Sequence, residues 1–400
     1  MEKTVCELFA GVGGFRVGLE KSNPDWNTVW ANQWEPERKF QHAFDCYTYH
    51  FGNHDRYVNE DISSVNKNTI PNHNLLVGGF PCQDYSVART GAKGIEGKKG
   101  VLWWQIKEIL EVKEPSFVLL ENVDRLLKSP SSQRGRDFGV ILACFRDLGY
   151  TVEWRVINAA DYGFVQRRRR TFIFACKNYT SYYRTIENIP LENVIKKDGF
   201  FVREFPIDTN INSEEIDFVY DDLIAVSDNF TMDFKNSGIM KNGRIYTVET
   251  TPIPIPSQTL REIIESNGVD DKYNLDDNLV KWTFLKGSKD IIRKKGTPHE
   301  YHFREGAISF PDRLDKPART MLTSEGSLNR STHVIQDPNS NSYRILTPIE
   351  TERINGFPDN WTNTGMPERF RYFCMGNALV VGLIEKMGNS LSEIFEREEN

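Results

Sequence analysis

Cys82 lies in the stretch GGFPCQDYS, residues 78–86, directly after a proline and at the end of a short apolar run. A thiol at such a loop entrance is a candidate nucleophile, because only the thiolate attacks and its resting pKa of about 8.5 needs little lowering. Glu121 closes another apolar run, SFVLLENV. If both runs are neighbouring buried strands, a nucleophile and a carboxylic acid open into one crevice. The ordinary role of a glutamate is a helix cap or an ion pair, and it is the position at a strand end that singles this one out. The other cysteines, Cys6, Cys46, Cys144, Cys176 and Cys374, are widely spaced with no CxxC pair. That spacing argues against a zinc cluster and a disulfide framework, and they read as small reduced core residues.

A second group of residues has the chemistry of a cofactor site. Gly11, Gly13 and Gly14 in LFAGVGGF allow a tight turn from strand to helix and let a ligand approach the backbone without a Cβ in the way. The pattern is GxGG, not GxGxxG, and by itself is a weak signal. In NQWEP, Trp34 is suited to stack on a flat ring while Gln33 or Glu35 bonds sugar hydroxyls. Asp61 in NEDIS adds an acceptor for an adenine amino group. Each alone is an ordinary turn residue; in sequence, at successive strand ends, they point to an adenosine site.

The elements that must position these groups follow from periodicity. From residue 4 to about 177, short apolar runs alternate with helical spacing, as in repeated strand–helix units. TVCELFAG, NTVWANQW, NLLVGGF and SFVLLENV read as strands, the last two continuous enough to be buried on both faces. Between them, Phe40, Ala43, Phe44 and Tyr47, then Leu102, Ile106, Ile109 and Leu110, fall on single helix faces. Phe138, Ile141, Leu142, Phe145 and Leu148 form a further stripe before the alternating strands YTVEWRVINA and RTFIFACK. This predicts an α/β, doubly wound, Rossmann-like sheet with ligands at the carboxyl ends of its strands. Residues 1–177 form the catalytic and cofactor-binding domain on this reading. Beyond 178 the rhythm is lost, and 178–340 reads as a separate, smaller, mostly irregular and β-rich domain. Residues 341–400 regain helical spacing at Val380, Leu383, Ile384 and Met387 and are expected to return to the sheet.

Composition sets outer limits. The chain of 400 residues carries a net charge of −6, which does not advertise a nucleic-acid binder, although QRRRR (166–170) and the lysines of KGIEGKKG show that basic residues cluster locally. No run of eighteen or more apolar residues is present and the start has no basic-then-apolar leader, so neither a membrane span nor a secretory signal is expected. A cytosolic protein is the expectation.

Taken in order, FAGVGGF, GGFPCQDYS, ENV, QRRRR, RILTPIETERINGFPDNW and GNALVV resemble the motifs of the DNA (cytosine-5) methyltransferases of bacterial restriction–modification type. The resemblance covers residues 4–177 and 343–390, and PCQ, ENV and the string RxLTPxExxRxxGFP (344–358) make it specific. It implies S-adenosylmethionine as cofactor and S-adenosylhomocysteine as product. It implies Cys82 as the nucleophile that adds to carbon 6 of cytosine, Glu121 at ring nitrogen 3, and Arg168 and Arg170 at the carbonyl oxygen and the supporting loop. Phe80 and Pro81 shape the pocket. Phe9, Gly11, Gly13, Gly14, Trp34, Asp61, Ile62, Leu102 and Asn377 match cofactor positions. The family commonly has an acid where this chain has Gln33, so the ribose falls to Gln33 or Glu35. Val165 replaces the usual proline before Gln166.

A base inside a duplex cannot present its ring face to a thiol, so the resemblance also implies base flipping. The loop QDYSVARTGAKGIEGKKG has glycines for hinges and cations for phosphates, and reads as a lid over DNA with Gln83, Ser86, Arg89 and Lys99 among its DNA contacts. The variable interval 178–340 sits where the family keeps its target-recognition domain, with base contacts expected between about 290 and 335. Two rival readings are a tRNA cytosine methyltransferase, disfavoured by the length of that interval, and a catalytically inactive DNA-binding protein, disfavoured by the intact cysteine, glutamate and arginines. Double-stranded DNA is the implied partner, with a paired restriction endonuclease, no membrane, and a monomeric state.

Overall fold

The computed structural model describes residues 1–81, 102–266, 268–275, 278–294 and 300–398. The six apolar runs become strands β1 (Thr4–Leu8), β2 (Asn27–Asn32), β4 (Leu75–Gly79), β5 (Phe117–Val123), β6 (Tyr150–Asn158) and β7 (Arg169–Lys177), and a two-residue strand that no such run marks, β3 (Tyr57–Val58), joins them. Three further strands, β8 (Ile207–Asp217), β9 (Ser237–Lys241) and β10 (Arg244–Pro252), complete one ten-stranded sheet in the order β3-β2-β1-β4-β5-β7-β6-β9-β10-β8. From β3 to β5 neighbours run parallel; from β5 to β8 every pair is antiparallel.

The parallel half needs crossover helices, and the sequence stripes supply them: α1 (Gly14–Ser22), α2 (His42–Phe51), α3 (Leu102–Lys113) and α4 (Arg136–Asp147). Residues along each strand alternate between two cores. Val118 and Leu120 of β5 join Ile106, Ile109, Phe138 and Ile141 of α3 and α4 on one face. Phe117 and Leu119 join Phe15, Leu19, Leu383 and Met387 on the other. The last helix, Val381–Arg397, thus returns to the sheet beside α1, as its spacing predicts. One stripe begins later than expected: Phe40 precedes α2 and is 62% exposed, whereas Ala43 and Tyr47 are buried.

The region after 178 departs from the sequence reading. Residues 207–252 do not stand apart from the catalytic sheet but extend it, through pairing of β9 with β6 and a hairpin of β9 with β10. The physical reason is that β6, once paired with β7, leaves its other edge open, and Val152↔Met240 to Arg155↔Ser237 close it. Only after 252 does the chain leave the sheet. It then forms two small two-stranded sheets, β11 (Lys289–Lys294) with β12 (Glu300–Glu305) and β13 (Val334–Gln336) with β14 (Tyr343–Ile345). Among the described residues, no helix is long and apolar enough to cross a membrane.

Candidate active site

The strand order reverses between β1 and β4, since β1 continues outward to β2 while β4 continues to β5. Such a switch point leaves a crevice at the carboxyl ends of the strands. A cavity of about 480 Å³ occupies it here, lined from one side by the β1 and β2 termini and from the other by those of β4 and β5.

The first turn is built for backbone approach. Phe9 and Gly11 have φ of 54° and 57°, in the left-handed region. The Cβ of Phe9 crowds the following carbonyl there at a cost of about 1–2 kcal/mol, a strain of the kind held at functional sites. Gly11 lines the cavity, and a Cβ built on it would meet no atom within 4 Å. It would project into the free space instead. Gly14 also lines the cavity, whereas Gly13 does not; it faces the Phe51 ring on α2.

Gln33, Trp34 and Glu35 follow β2 into the cavity wall. Trp34 is 39% exposed, leaving ring surface free for stacking. Gln33 Oε1 accepts from the Gly11 N–H at 2.7 Å, tying the second strand end to the glycine turn. Glu35 is buried, its carboxylate 3.3 Å from the Ala43 N–H, and burial holds its pKa above the usual value. Asp61 and Ile62 do not line the cavity. Asp61 is exposed and its Oδ1 caps the turn Ile62–Ser64 by accepting from the Ser63 N–H at 2.9 Å, and Ile62 is buried in the core. Leu102 and Asn377 close the lining.

The polar groups cluster at the β4–β5 side. Glu121, paired in register with Gly79, accepts from Arg170 Nε at 2.8 Å. The register Val123↔Arg170 brings β7 alongside at the right height. Both side chains keep a little solvent contact, 14% and 17%, so they face the cavity and are not sealed in the core. Arg168 is buried and donates to the carbonyls of Met321, Gly376 and Asn377 at 3.2, 3.2 and 3.3 Å. Its Nε has no partner among the described residues. Burial, then the neighbouring Arg170, pushes its pKa down to about 9, while Glu121 raises it; a guanidinium remains charged at neutral pH regardless. Phe80 and Pro81 form the adjoining wall.

Cys82, Gln83, Ser86, Arg89 and Lys99, together with the loop read as a lid, lie outside the described residues. The five described cysteines are all free and buried. Burial pushes Cys46 and Cys144 up to about 12 and raises the other three well above the ordinary thiol value. Even Cys374, which borders the cavity, is held as an unreactive thiol.

The structure also brings in residues that the sequence reading left out. Asn122 is buried and donates from Nδ2 to the Phe80 carbonyl at 2.9 Å, fixing the peptide before Pro81 to β5. Alternation along β5 is the signal: if Glu121 faces the crevice, Asn122 points the other way. Gly376 lines the cavity, and a Cβ on it would stand 2.4 Å from the backbone of Leu322 and Thr323. Gln166 accepts from the Met321 N–H at 3.0 Å and donates to Asn355 at 2.8 Å, holding segment 318–323 and helix Pro348–Asn355 against the site.

Comparison with known proteins agrees with this geometry. The family model described as C-5 cytosine-specific DNA methylase matches residues 3–393. The chain is 55% identical over 398 residues to the type II methyltransferase M.Sau3AI of Staphylococcus aureus, covering 98% of this chain and 95% of that one. It is 35% identical to the type II methyltransferase M.HhaI of Haemophilus parahaemolyticus over 172 residues, 43% of this chain and 48% of that one. Among solved structures, the Dnmt2 methyltransferase of S. pombe shares the fold with a TM-score of 0.61 at 16% identity, covering 98% of each chain. The chain belongs to the C-5 cytosine-specific DNA methylase family, enzymes that methylate carbon 5 of cytosine in DNA.

Proposed function

We propose that the cavity holds S-adenosylmethionine on its β1–β2 side and an extruded cytosine on its β4–β5 side, and that Cys82 attacks the base. The observation that carries this reading is the Glu121–Arg170 pair at the cavity wall, beside the Phe80–Pro81 peptide that immediately precedes Cys82 in the chain. The residues present fit the cofactor. Gly11 offers bare backbone, Trp34 an exposed ring face for adenine, and Gln33 or Glu35 a polar edge for the ribose. Gln33 is already engaged with Gly11 through its oxygen, so its amide N–H₂ is the group left to bind a hydroxyl. The resemblance also assigns Asp61, Ile62 and Gly13 to the cofactor, although none of the three lines the cavity and the Asp61 carboxylate is engaged in capping its own turn.

Carbon 5 of cytosine is a poor nucleophile. Addition of the Cys82 thiolate to carbon 6 makes carbon 5 enamine-like, and the charge pushed into the ring is withdrawn at nitrogen 3 by a proton shared with Glu121. Arg170 holds that carboxyl in place, and Arg168 and Arg170 supply positive charge where the carbonyl oxygen gains electron density. Bound S-adenosylmethionine supplies the electrophilic methyl group. Loss of the carbon 5 proton then returns its electron pair to the ring and expels the Cys82 sulfur.

Residues from about 290 to 335 are proposed to make the sequence-reading contacts, with a paired restriction endonuclease, a monomeric state and a cytoplasmic setting as the accompanying context. The reading segment is supported by its own polar frame: Arg319 holds Asp312 through two hydrogen bonds, at 2.7 and 3.1 Å, and donates to the carbonyls of Ser331 and Thr332. A frame of this kind presents a loop without leaving it free to collapse.

The test is methyl transfer from labelled S-adenosylmethionine to duplex DNA and to tRNA, with trapping on DNA containing 5-fluorocytosine. Transfer to DNA alone and a denaturant-stable adduct with wild type but not Cys82→Ser are expected. Transfer without any trapped species would overturn the covalent reading.

A further inference from the structure

Arg168 and Arg170 are used by the site, but their neighbours Arg167 and Arg169 are not. The alternation of the run places 168 and 170 against the cavity and leaves 167 and 169 facing outward. Arg167 is fixed on both sides of its own peptide, its N–H donating to the Ala318 carbonyl at 2.8 Å and its carbonyl accepting from Thr320 Oγ1 at 2.5 Å. Its guanidinium is nonetheless exposed, with no partner among the described residues. The turn Asp124–Lys128, which leaves the strand of Glu121, adds two more cations. Leu126 and Leu127 are buried beneath it, so Arg125 and Lys128 are turned to solvent, again without a described partner. Arg169 closes the rim, 3.5 Å from Asp124 and within the field of Asp161.

Four cations therefore meet two carboxylates at one end of β5, β6 and β7, on a chain whose net charge is −6. Three of the four have no protein anion to satisfy them. We propose that Arg125, Arg167 and Lys128 grip the phosphodiester backbone of duplex DNA beside the extruded base, with Arg169 completing the rim. The inference rests on the proposed reaction, because it is the base beside Glu121 that brings backbone phosphates to this edge. The outward cations then hold the flanking phosphates while the inward ones serve the ring.

Binding of a target duplex, followed by fluorescence anisotropy over a range of salt concentrations, reads this directly. Each phosphate contact contributes a slope of about −0.9 to the dependence of log K on log salt. Arg125→Ala/Arg167→Ala is expected to lower the slope magnitude by about 1.8, with the charge-retaining Arg125→Lys/Arg167→Lys pair restoring it. Arg184→Ala, an exposed arginine on the helix Ser181–Ile186 beyond the far end of β7, is expected to leave the slope unchanged. An unaltered slope in a double variant with an unchanged melting temperature would overturn the proposal, as would an equal loss in the Arg184 variant. The slope is read without methyl transfer. Its failure alone would leave the covalent reaction standing, and failure of 5-fluorocytosine trapping with the slope change present would leave the rim standing.

Discussion

At the scale of single residues, Glu121 is where position matters more than type. A carboxylate 2.8 Å from Arg170 Nε and facing a cavity can share a proton with a ring nitrogen, while an amide of the same size cannot. Glu121→Gln is expected to lower kcat by about 10²–10⁴-fold while DNA affinity stays near wild type. A kcat within threefold of wild type would remove the residue from the mechanism. Trp34→Ala takes away one stacking face, worth about 1–3 kcal/mol, so the dissociation constant for S-adenosylmethionine should rise at least about fivefold by calorimetry. The thiols give a sharper contrast. Burial raises the pKa of five cysteines, two of them to about 12, and no thiolate forms on them near neutrality. Iodoacetamide at pH 8 should therefore modify at most one thiol of the native protein, and peptide mapping should place it at Cys82. Two or more modified cysteines before unfolding would contradict the burial described here.

At the scale of elements, six of the seven strands and the four helices of the first 177 residues are legible because each carries its own period and each crossover is local, whereas the two-residue β3 is too short to carry one. The cavity lining is legible for the same reason, since strand ends in a parallel sheet are where glycines, a tryptophan or an acid interrupt an apolar run. Asn122 and Gly376 are harder, because their roles depend on a chain segment distant in sequence coming to lie against them. The three added strands show the same limit. Asn242-Gly243, with φ of 52° and 71° between Lys241 and Arg244, is a strong local hairpin signal, one that a search for helix–strand alternation passes over. That the hairpin then pairs with β6 is a non-local fact with no local mark. Its seam is Gly238, where the Trp154 ring of β6 lies 2.0 Å from the place a Cβ would occupy. Gly238→Val must push that indole out of a fully buried position, and overpacking of this kind costs about 1–3 kcal/mol or more. A lowered urea midpoint is expected, and one within error of wild type would mean that the seam is not packed as described.

At the scale of the whole molecule, stability against pH is shaped by two opposing groups of carboxylates and by the buried His73, whose imidazole pKa desolvation lowers to about 4. Glu7 and Glu153 are buried, and desolvation raises each to about 7, only partly offset by hydrogen bonds from Tyr47 to Glu7 and from Phe200 and Tyr182 to Glu153. Between their unfolded values near 4.3 and their folded values the native state holds the extra protons, so stability falls as pH rises through this window and levels off above it. Asp233 and Asp359 act in the opposite sense. Hydrogen bonds from Lys235 and from Arg353 hold them below their ordinary value, and the stability they contribute disappears as pH drops below about 4. Stability should therefore peak on the acid side of neutrality, and Glu153 allows the cause to be isolated. Its carboxyl accepts from the Tyr182 hydroxyl at 2.9 Å and from the Phe200 N–H at 3.0 Å, and a glutamine can still accept one of these and donate to the hydroxyl oxygen. Glu153→Gln removes the titration while keeping the volume. Urea unfolding at pH 5, 6, 7 and 8 should show the wild-type free energy declining by more than the variant's, with a difference on the order of 1–3 kcal/mol across the series. The residual slope in the variant sums the remaining shifted groups: Glu7, which stays buried and accepts from the Tyr47 hydroxyl at 2.9 Å, and His73, whose burial-lowered imidazole, at about 4, acts in the opposite sense below about 6.5. Parallel profiles for the two proteins would show that Glu153 is ionised in the folded state throughout, and would place the compensating charge on the buried Arg155 next to it in the field.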